Sequence, residues 1–149
     1  MSQPDLIIHD ECHTIINQST RDYYDYILKK YPNIKVLGFK ANIYPYLKKS
    51  DLLINPSYFE GFPNSVVEAA NLEVPIISSQ SHGGINEILL DGKCGTIYNG
   101  GYKNLAFEIK RYLKNPEIFY KKVRLAKKNV AKFNLINHQK KFEKLLNKI

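Results

Sequence analysis

The sequence predicts an α/β protein, a three-layer Rossmann-like single domain over residues 1–149 with a five-stranded parallel sheet. Two observations carry this prediction. Short apolar runs rich in Ile, Leu and Val alternate with longer segments of helical period, which is typical of buried parallel strands covered by helices on both faces. After Gly100-Gly101 the strand-like runs stop, and residues 101–149 predict a basic helical tail.

Each predicted strand is bounded by Gly, Pro, Asn or Asp. The strands are Asp5–His9, Ile34–Gly38, Asp51–Asn55, Pro75–Ser78 and Gly95–Tyr98. The predicted helices are Ser19–Tyr31, Asn42–Lys49, Ser65–Leu72, Gly84–Leu90, Tyr102–Lys114, Pro116–Lys132 and Asn134–Lys148. Ligands of open parallel sheets bind at the carboxyl ends of the strands. A binding site is therefore expected in the loops after Asn55 and Ser78.

Composition fits a folded protein of the cytoplasm. Hydrophobic residues make up 44% of the chain, and no apolar run approaches the roughly 18 residues that a membrane span needs. The first residues, Met-Ser-Gln-Pro-Asp, lack the basic start and apolar stretch of a signal peptide. The only cysteines, Cys12 and Cys94, are too few for a paired-cysteine metal motif and are expected to be free thiols.

The net charge of +8 is unevenly placed. Residues 1–100 hold 8 basic and 11 acidic side chains, a net charge of −3, whereas residues 101–149 hold 14 and 3, a net charge of +11. Three interpretations are open: a solvated helical face, a surface for anionic membrane lipid, or a nucleic-acid surface. Nucleic acid is the least favoured. A membrane surface would place the protein at the inner face of the membrane.

The most informative segment runs from Asn55 to Ala69, which follows a predicted strand and opens a predicted helix. Gly61 would let a ligand approach the backbone closely. Asn64 or Ser65 could cap the helix, with Glu68 as the acid of a capping box.

A helix N-terminus beside a glycine loop binds anions. Glu68, one turn into the helix, could reach a ribose diol, and Glu60, outside the helix, could reach a sugar. These residues predict a phosphate-plus-sugar site. The alternative is a well-capped helix after an ordinary loop.

This segment resembles the signature of family-4 retaining glycosyltransferases of the two-Rossmann-domain (GT-B) type, in which seven residues separate two glutamates. Glu60 and Glu68 have that spacing. The resemblance covers about residues 36–149. Its other motifs are Leu37–Phe39, Ile43–Leu47, Val74–Ser78, Gly83–Ile88 and Gly92–Gly95.

The resemblance implies a role for each matching residue. Glu68 would bind the ribose hydroxyls of a nucleoside diphosphate sugar, and Glu60 would be the catalytic residue that faces the donor sugar. Backbone N–H groups would surround the sugar and phosphates, and two further residues would lie by the nucleobase edge. The N–H groups are those of Gly61, Phe62, Asn64 and Ser65, and the base-edge residues are Gly38 and Phe39.

The implied reaction is glycosyl transfer from a UDP- or GDP-sugar with retention at the anomeric carbon. No metal and no other cofactor is expected. The family's first strand of this domain, its phosphate-binding Arg and Lys, and its acceptor-binding domain do not precede Asp5. We therefore expect a donor-binding half that is incomplete for catalysis and works with a separate acceptor-binding domain. We also expect Asp5–His9 in a middle place of the sheet, in the order 2-1-3-4-5.

Gly83-Gly84 with Glu87 has two interpretations: contact with the donor diphosphate, or a helix start with a favourably placed acid. His82 beside these glycines is more readily explained as a solvated loop residue than as a catalytic one.

Residues 1–40 have a different resemblance. Leu6–His13 resembles the Asp-Glu-x-His box of a superfamily 2 helicase, in which Asp10 and Glu11 would bind magnesium, and Ile27–Phe39 resembles the approach to that family's next motif. However, Lys40–Asn42 replaces the expected Thr/Ser-Ala-Thr, and the chain contains no G-x-x-x-x-G-K-[ST] loop to hold ATP.

The opening is therefore either a helicase-like fragment joined to a glycosyltransferase or a loop with Asp10, Glu11 and His13 on it. Two alternatives to the enzyme follow: a non-catalytic nucleotide- or partner-binding remnant, and a nucleic-acid-associated module related to helicases.

Overall fold

The computed structural model of the chain describes the backbone of residues 6–8 and all of residues 25–38 and 40–147. The chain divides into two compact units, Met1–Ile43 and Tyr44–Ile149.

The first unit contains a parallel pair of strands. Strand β1 (Leu6–Ile8) pairs with β2 (Ile34–Val36), with Leu6 opposite Ile34 and Ile8 opposite Val36. Parallel neighbours need a crossover connection, and helical residues 25–30 (α1) form part of it. Both strands lie where the apolar runs predict them.

The second unit contains a parallel sheet in the order β3-β4-β5. Its strands are β3 (Leu53–Asn55), β4 (Ile76–Ser79) and β5 (Thr96–Tyr98). Its helices up to β5 are α2 (Tyr44–Leu47), α3 (Asn64–Asn71) and α4 (Ile85–Leu89). The C-terminal elements are α5 (Tyr102–Lys114), α6 (Glu117–Val130), a 3-10 turn (Ala131–Phe133) and α7 (Leu135–Leu146).

The central strand β4 is buried along its whole length. Ile77 packs in a cluster with Tyr98, Tyr112 and Phe119, in which the last two rings meet edge to face with centroids 5.3 Å apart. The Tyr112 hydroxyl donates a hydrogen bond to the Asp51 carbonyl at 2.8 Å, so its polar atom is satisfied inside the core. Burial raises the pKa of Tyr112.

Helix α6 is held to α4 and to the loop before β5 by two polar side chains. Asn129 Nδ2 donates to the carbonyls of Glu87 and Ile88 at 2.9 and 2.8 Å, which satisfies acceptors near the end of α4. Lys122 Nζ donates to the carbonyls of Gly92 and Gly95, each at 2.9 Å. Burial lowers the pKa of Lys122.

Helix α7 differs from the other long helices because it has no buried residue. Its large apolar side chains are all more than half exposed: Leu135, Ile136, Phe142, Leu145 and Leu146. Within the part of the chain that the structure describes, no helix combines the length and apolar character needed to cross a bilayer.

The prediction of one five-stranded sheet is wrong. The pairs 2-1, 3-4 and 4-5 of the predicted order are present, but β1 and β2 form one sheet and β3, β4 and β5 another. A buried apolar run looks the same whichever strand lies beside it, so the sequence pattern located the strands without fixing which of them share a sheet.

Candidate functional site

The loops that follow β3 and β4 lie side by side. Ser79, the last residue of β4, donates a hydrogen bond from Oγ to the Ser57 carbonyl. Phe59 and His82 form a parallel bridge between the loops, and their rings lie 5.6 Å apart at 41°. These contacts bring together the two places where the sequence predicts a site.

Two adjacent glycines allow the loops to approach this closely. A Cβ placed on Gly83 would lie 1.9 Å from the Glu60 carbonyl oxygen, far inside any real contact. A Cβ on Gly84 would lie 2.7 Å from Cδ2 of Phe62. The Gly84 N–H donates to the Gly61 carbonyl at 2.9 Å.

The predicted donor residues of the β3 loop lie at this contact. Glu60 is half-buried and Gly61 is exposed. The Phe62 side chain is 41% exposed, and its ring meets Phe133 edge to face at a centroid distance of 5.0 Å. The loop is therefore supported by Gly83-Gly84 and by the 3-10 turn that precedes α7.

Helix α3 begins at Asn64 with Pro63 as its N-cap, and no side chain caps it. The predicted cap at Asn64 or Ser65, and the capping box with Glu68, are wrong. Pro63 takes the extended N-cap conformation (φ −75°, ψ 99°), which moves Asn64 and Ser65 into the first helical turn, where their side chains are past the capping position. The first turn of α3 thus keeps N–H groups without a side-chain acceptor.

Glu68 lies on α3 and is half-buried. Val66, Ala69 and Ala70 of the same helix are completely buried. The helix therefore fixes the backbone of Glu68 to the core.

The other predicted residues are distributed as follows. Gly38 belongs to the first unit and has a left-handed backbone (φ +60°) just after β2, which explains glycine there. Phe39 lies outside the described residues, as do Asp10, Glu11, Cys12 and His13.

Lys132 and Cys94 are two titratable groups of the second unit with defined surroundings. Lys132 Nζ lies 3.6 Å from a Glu87 carboxylate oxygen and 4.8 Å from the centre of the Phe133 ring. Cys94 is a buried free thiol whose pKa is raised by burial. No cluster of three or more His, Cys, Asp or Glu side chains suited to a metal ion occurs in residues 25–38 and 40–147.

The sequence does not single out every residue of this site. Phe133 has no signal in the sequence, since an aromatic residue near a helix end usually belongs to the core. The Ser57–Ser79 hydrogen bond also joins residues that no local pattern connects. Gly83-Gly84 is conspicuous in the sequence, but its contact with Glu60 is a tertiary feature.

A family model described as "Glycosyl transferases group 1" matches residues 6–133. The chain belongs to this glycosyltransferase family. The match begins near the N-terminus, so it includes most of the opening segment as well as residues 36–133, where the resemblance was predicted. It ends at the 3-10 turn, before α7.

Curated glycosyltransferases match shorter stretches. An uncharacterised glycosyltransferase of Methanocaldococcus jannaschii is 40% identical over 57 residues, 38% of this chain and 14% of the relative. The capsular polysaccharide biosynthesis glycosyltransferase CapM of Staphylococcus aureus is 26% identical over 103 residues, 68% of this chain and 27% of the relative. The chain therefore spans about a quarter or less of these relatives.

Solved glycosyltransferase structures share the fold. HepE from Anabaena, solved in complex with UDP, superposes with a TM-score of 0.85 at 19% identity, covering 98% of this chain and 41% of HepE. The complex of HepE with UDP-glucose gives a TM-score of 0.82 at 20% identity, covering 97% of this chain and 41% of HepE. The chain thus has the Rossmann-like fold of the C-terminal domain of GT-B glycosyltransferases.

Proposed function

We propose that this chain is the donor-binding half of a retaining, family-4 type glycosyltransferase that takes a UDP- or GDP-sugar. The observation that carries the proposal is the start of α3. There, an uncapped helix N-terminus follows the Gly61 loop, with Glu60 before it and Glu68 within it. Membership of the group 1 glycosyltransferase family and a fold shared with HepE support the same function.

In this proposal the donor diphosphate lies at the N-terminus of α3. The helix dipole and the N–H groups of Asn64 and Ser65 offset its charge. Gly61 supports this placement, because a Cβ there would meet nothing within 4 Å among the described atoms. The glycine is thus not required by protein packing, and the open space suits a ligand.

The two glutamates bind opposite ends of the donor. Glu68 accepts hydrogen bonds from the ribose hydroxyls, and Glu60 faces the sugar, next to the N–H groups of Gly61 and Phe62. During transfer the bond from the anomeric carbon to the diphosphate oxygen breaks, the acceptor oxygen bonds to the same face of that carbon, and the proton of the acceptor hydroxyl passes to the leaving diphosphate. The helix end stabilises the negative charge that develops on the leaving diphosphate. No metal is assigned a role.

Gly38 and Phe39 are proposed at the nucleobase edge. The acceptor is proposed to bind to a separate acceptor-binding domain, so that this chain alone binds the donor but transfers sugar poorly. Its share of HepE, 41% of that chain, is consistent with half of a two-domain enzyme.

The proposal is tested by calorimetry or ligand-observed NMR on the 149-residue chain with UDP, GDP, ADP and their glucose or mannose conjugates. We expect one nucleobase to be preferred and the sugar-bearing form to be bound. A folded chain that binds none of these nucleotides would show that the assignment is wrong. Binding of nucleotide without transfer, even after an acceptor domain is added, would favour a non-catalytic nucleotide-binding remnant.

We also propose that the C-terminal helices contact an anionic membrane, at the inner face of the membrane in a cytoplasmic enzyme. Leu135, Phe142 and Leu146 follow helical spacing and are all exposed, and Lys140, Lys141 and Lys144 project from the other side of α7. Co-sedimentation should be strong with vesicles containing phosphatidylglycerol and weak with phosphatidylcholine alone.

The control is a variant in which Lys140, Lys141 and Lys144 become Gln; it should lose the preference for anionic vesicles. Equal binding to both vesicle types, or no binding to anionic vesicles, would contradict the proposed contact with an anionic membrane.

The nucleic-acid alternative makes a separate prediction. A module that binds nucleic acid through its basic tail should bind a DNA duplex with an affinity that falls steeply as salt rises. Absence of such binding at low salt would eliminate it. The helicase-like interpretation of Asp10, Glu11 and His13 remains a hypothesis, as does the assignment of residues 1–149 to one domain.

A further inference from the structure

We infer that the Gly83-Gly84 turn positions the sugar-binding loop and thereby controls recognition of the donor sugar, while the nucleoside end is held independently by α3. This inference rests on the proposed donor site. It assigns the two glycines to a positioning role through Glu60 and Phe62, in place of direct contact with the diphosphate.

Gly83 contacts the backbone of Glu60. A methyl group at Gly83 would stand 1.9 Å from the Glu60 carbonyl oxygen and 2.8 Å from that of Gly61. Neither oxygen is the end of a flexible side chain, so the loop itself would have to move. Gly83 also has φ +116°, which side-chain-bearing residues rarely adopt.

Gly84 contacts the ring of Phe62 instead. Its backbone is right-handed helical (φ −71°, ψ −5°), which alanine adopts without strain. A methyl group there would lie 2.7 Å from Cδ2 of Phe62 and 3.4 Å from the Gly61 carbonyl oxygen. The Gly84 N–H also donates to that carbonyl, which holds the Gly84 backbone beside the loop. Substitution would therefore displace the Phe62 ring, while the backbone of residue 84 keeps a relaxed conformation.

Glu68 is supported by other contacts. It lies on α3, which is fixed to the core by the fully buried Val66, Ala69 and Ala70. Pro63, also buried, separates the loop from the helix. Displacement of residues 60–62 should therefore leave Glu68 in place, so that sugar recognition and nucleoside recognition separate.

The test uses three variants of the 149-residue chain: Gly83→Ala, Gly84→Ala and the control Gly101→Ala. Gly101 has φ +75°, and a Cβ there would meet nothing within 4 Å, so alanine strains the backbone without touching the loop. Affinities for UDP and UDP-glucose are measured by calorimetry. For Gly83→Ala we expect UDP-glucose to bind about tenfold more weakly, the size of one lost hydrogen bond to a charged group.

UDP itself should bind within about twofold of the original affinity, which is below the free energy of one hydrogen bond. Gly84→Ala should act in the same direction, and Gly101→Ala should change neither affinity. If Gly83→Ala and Gly84→Ala weaken UDP and UDP-glucose equally, or weaken neither, the inference is overturned.

A second measurement needs no ligand and remains decisive if the Gly83 variant unfolds. In Gly84→Ala the amide resonances of Gly61 and Phe62 should shift and those of α3 should not. The double variant Phe62→Ala/Gly84→Ala is compared with Phe62→Ala alone. Without the Phe62 ring the methyl group at residue 84 has room, so the Gly61 amide resonances of these two variants should lie close together. Unchanged Gly61 and Phe62 amides would overturn the positioning role, whereas failure of the unmodified chain to bind any nucleotide would reject the proposed function instead.

Discussion

Glu60 and Glu68 are separated by seven residues but rest on different supports. Glu60 is in a loop whose carbonyl contacts Gly83, and Glu68 is on a helix packed into the core. Gly83 and Gly61 differ in the space that surrounds them. At Gly83 the protein leaves no room for a side chain, whereas at Gly61 it leaves open space.

The first prediction concerns the two carboxylates. Glu68→Ala should weaken UDP and UDP-glucose together, and Glu60→Ala should mainly weaken UDP-glucose. Each loss should be about ten- to a hundredfold, as for hydrogen bonds to a charged group. Calorimetry with both ligands measures the difference, with exposed Glu117→Ala as the control. Loss of UDP affinity in Glu60→Ala alone would reverse the assigned roles.

The second prediction concerns the ion pair between Glu73 and Lys127, whose charged atoms are 2.7 Å apart. The hydrogen bond from Lys127 lowers the pKa of Glu73 below its ordinary value of 4.5. The pair therefore stabilises the fold above that value and loses its effect as pH falls through the lower, folded-state pKa. Carboxyl ¹³C NMR should find the midpoint below 4.5, returning towards it in Lys127→Met but not in Lys128→Met.

At the scale of elements, the sequence located all five strands that the structure describes and the limits of α5. Gly100 and Gly101 both have left-handed backbones (φ +47° and +75°) that end the strand region, and Asn115-Pro116 stops α5. The sequence predicts the start of α3 one residue too late, at Ser65, because polar residues are preferred at the N-cap and the N-cap here is Pro63. The Gly61 loop and Gly83-Gly84 are conspicuous in the sequence, but Gly83 lies against Glu60 only in the folded chain, and no local pattern indicates such a contact.

The third prediction concerns α7. Its N-cap Asn134 accepts a hydrogen bond from the Asn137 N–H at 2.8 Å. Because α7 has no buried residue, this cap should matter more for it than for a packed helix. Asn134→Ala should destabilise the helix by about 1 kcal/mol and speed hydrogen exchange in α7 while leaving β4 protected. The control Asn147→Ala, at the other end, should leave exchange unchanged. Unchanged exchange in α7 of Asn134→Ala, or faster exchange throughout the protein, would contradict this prediction.

At the scale of the whole molecule, the most basic part of the chain also contributes to the core. The core of the second unit gathers around Ile77 and Phe119, and Phe119 lies in residues 101–149, where the positive charge is concentrated. The sequence showed the charge asymmetry directly. It could not show the division into two sheets, because strand pairing depends on the path of the chain and not on the apolar character of any one strand.

The fourth prediction concerns this core. Phe119→Ala should cost about 3–5 kcal/mol through lost burial and a cavity, a large part of the roughly 5–15 kcal/mol that stabilises a typical domain. Urea unfolding followed by circular dichroism measures the change. The control Phe107→Ala removes a ring that is 63% exposed and should change stability by at most about 0.5 kcal/mol. Equal losses in both variants would show that the cluster is not the main core.

The edge-to-face contact between Phe62 and Phe133 bears on how the protein can be shortened. Removal of α7, whose large apolar side chains are exposed, is one way to improve solubility. Truncation after Val130 would also delete Phe133 and leave one side of the Phe62 ring uncovered, whereas truncation after Phe133 would keep that support. The family match also ends at residue 133. A shortened protein that stops there therefore retains both the matched region and the contact between Phe62 and Phe133.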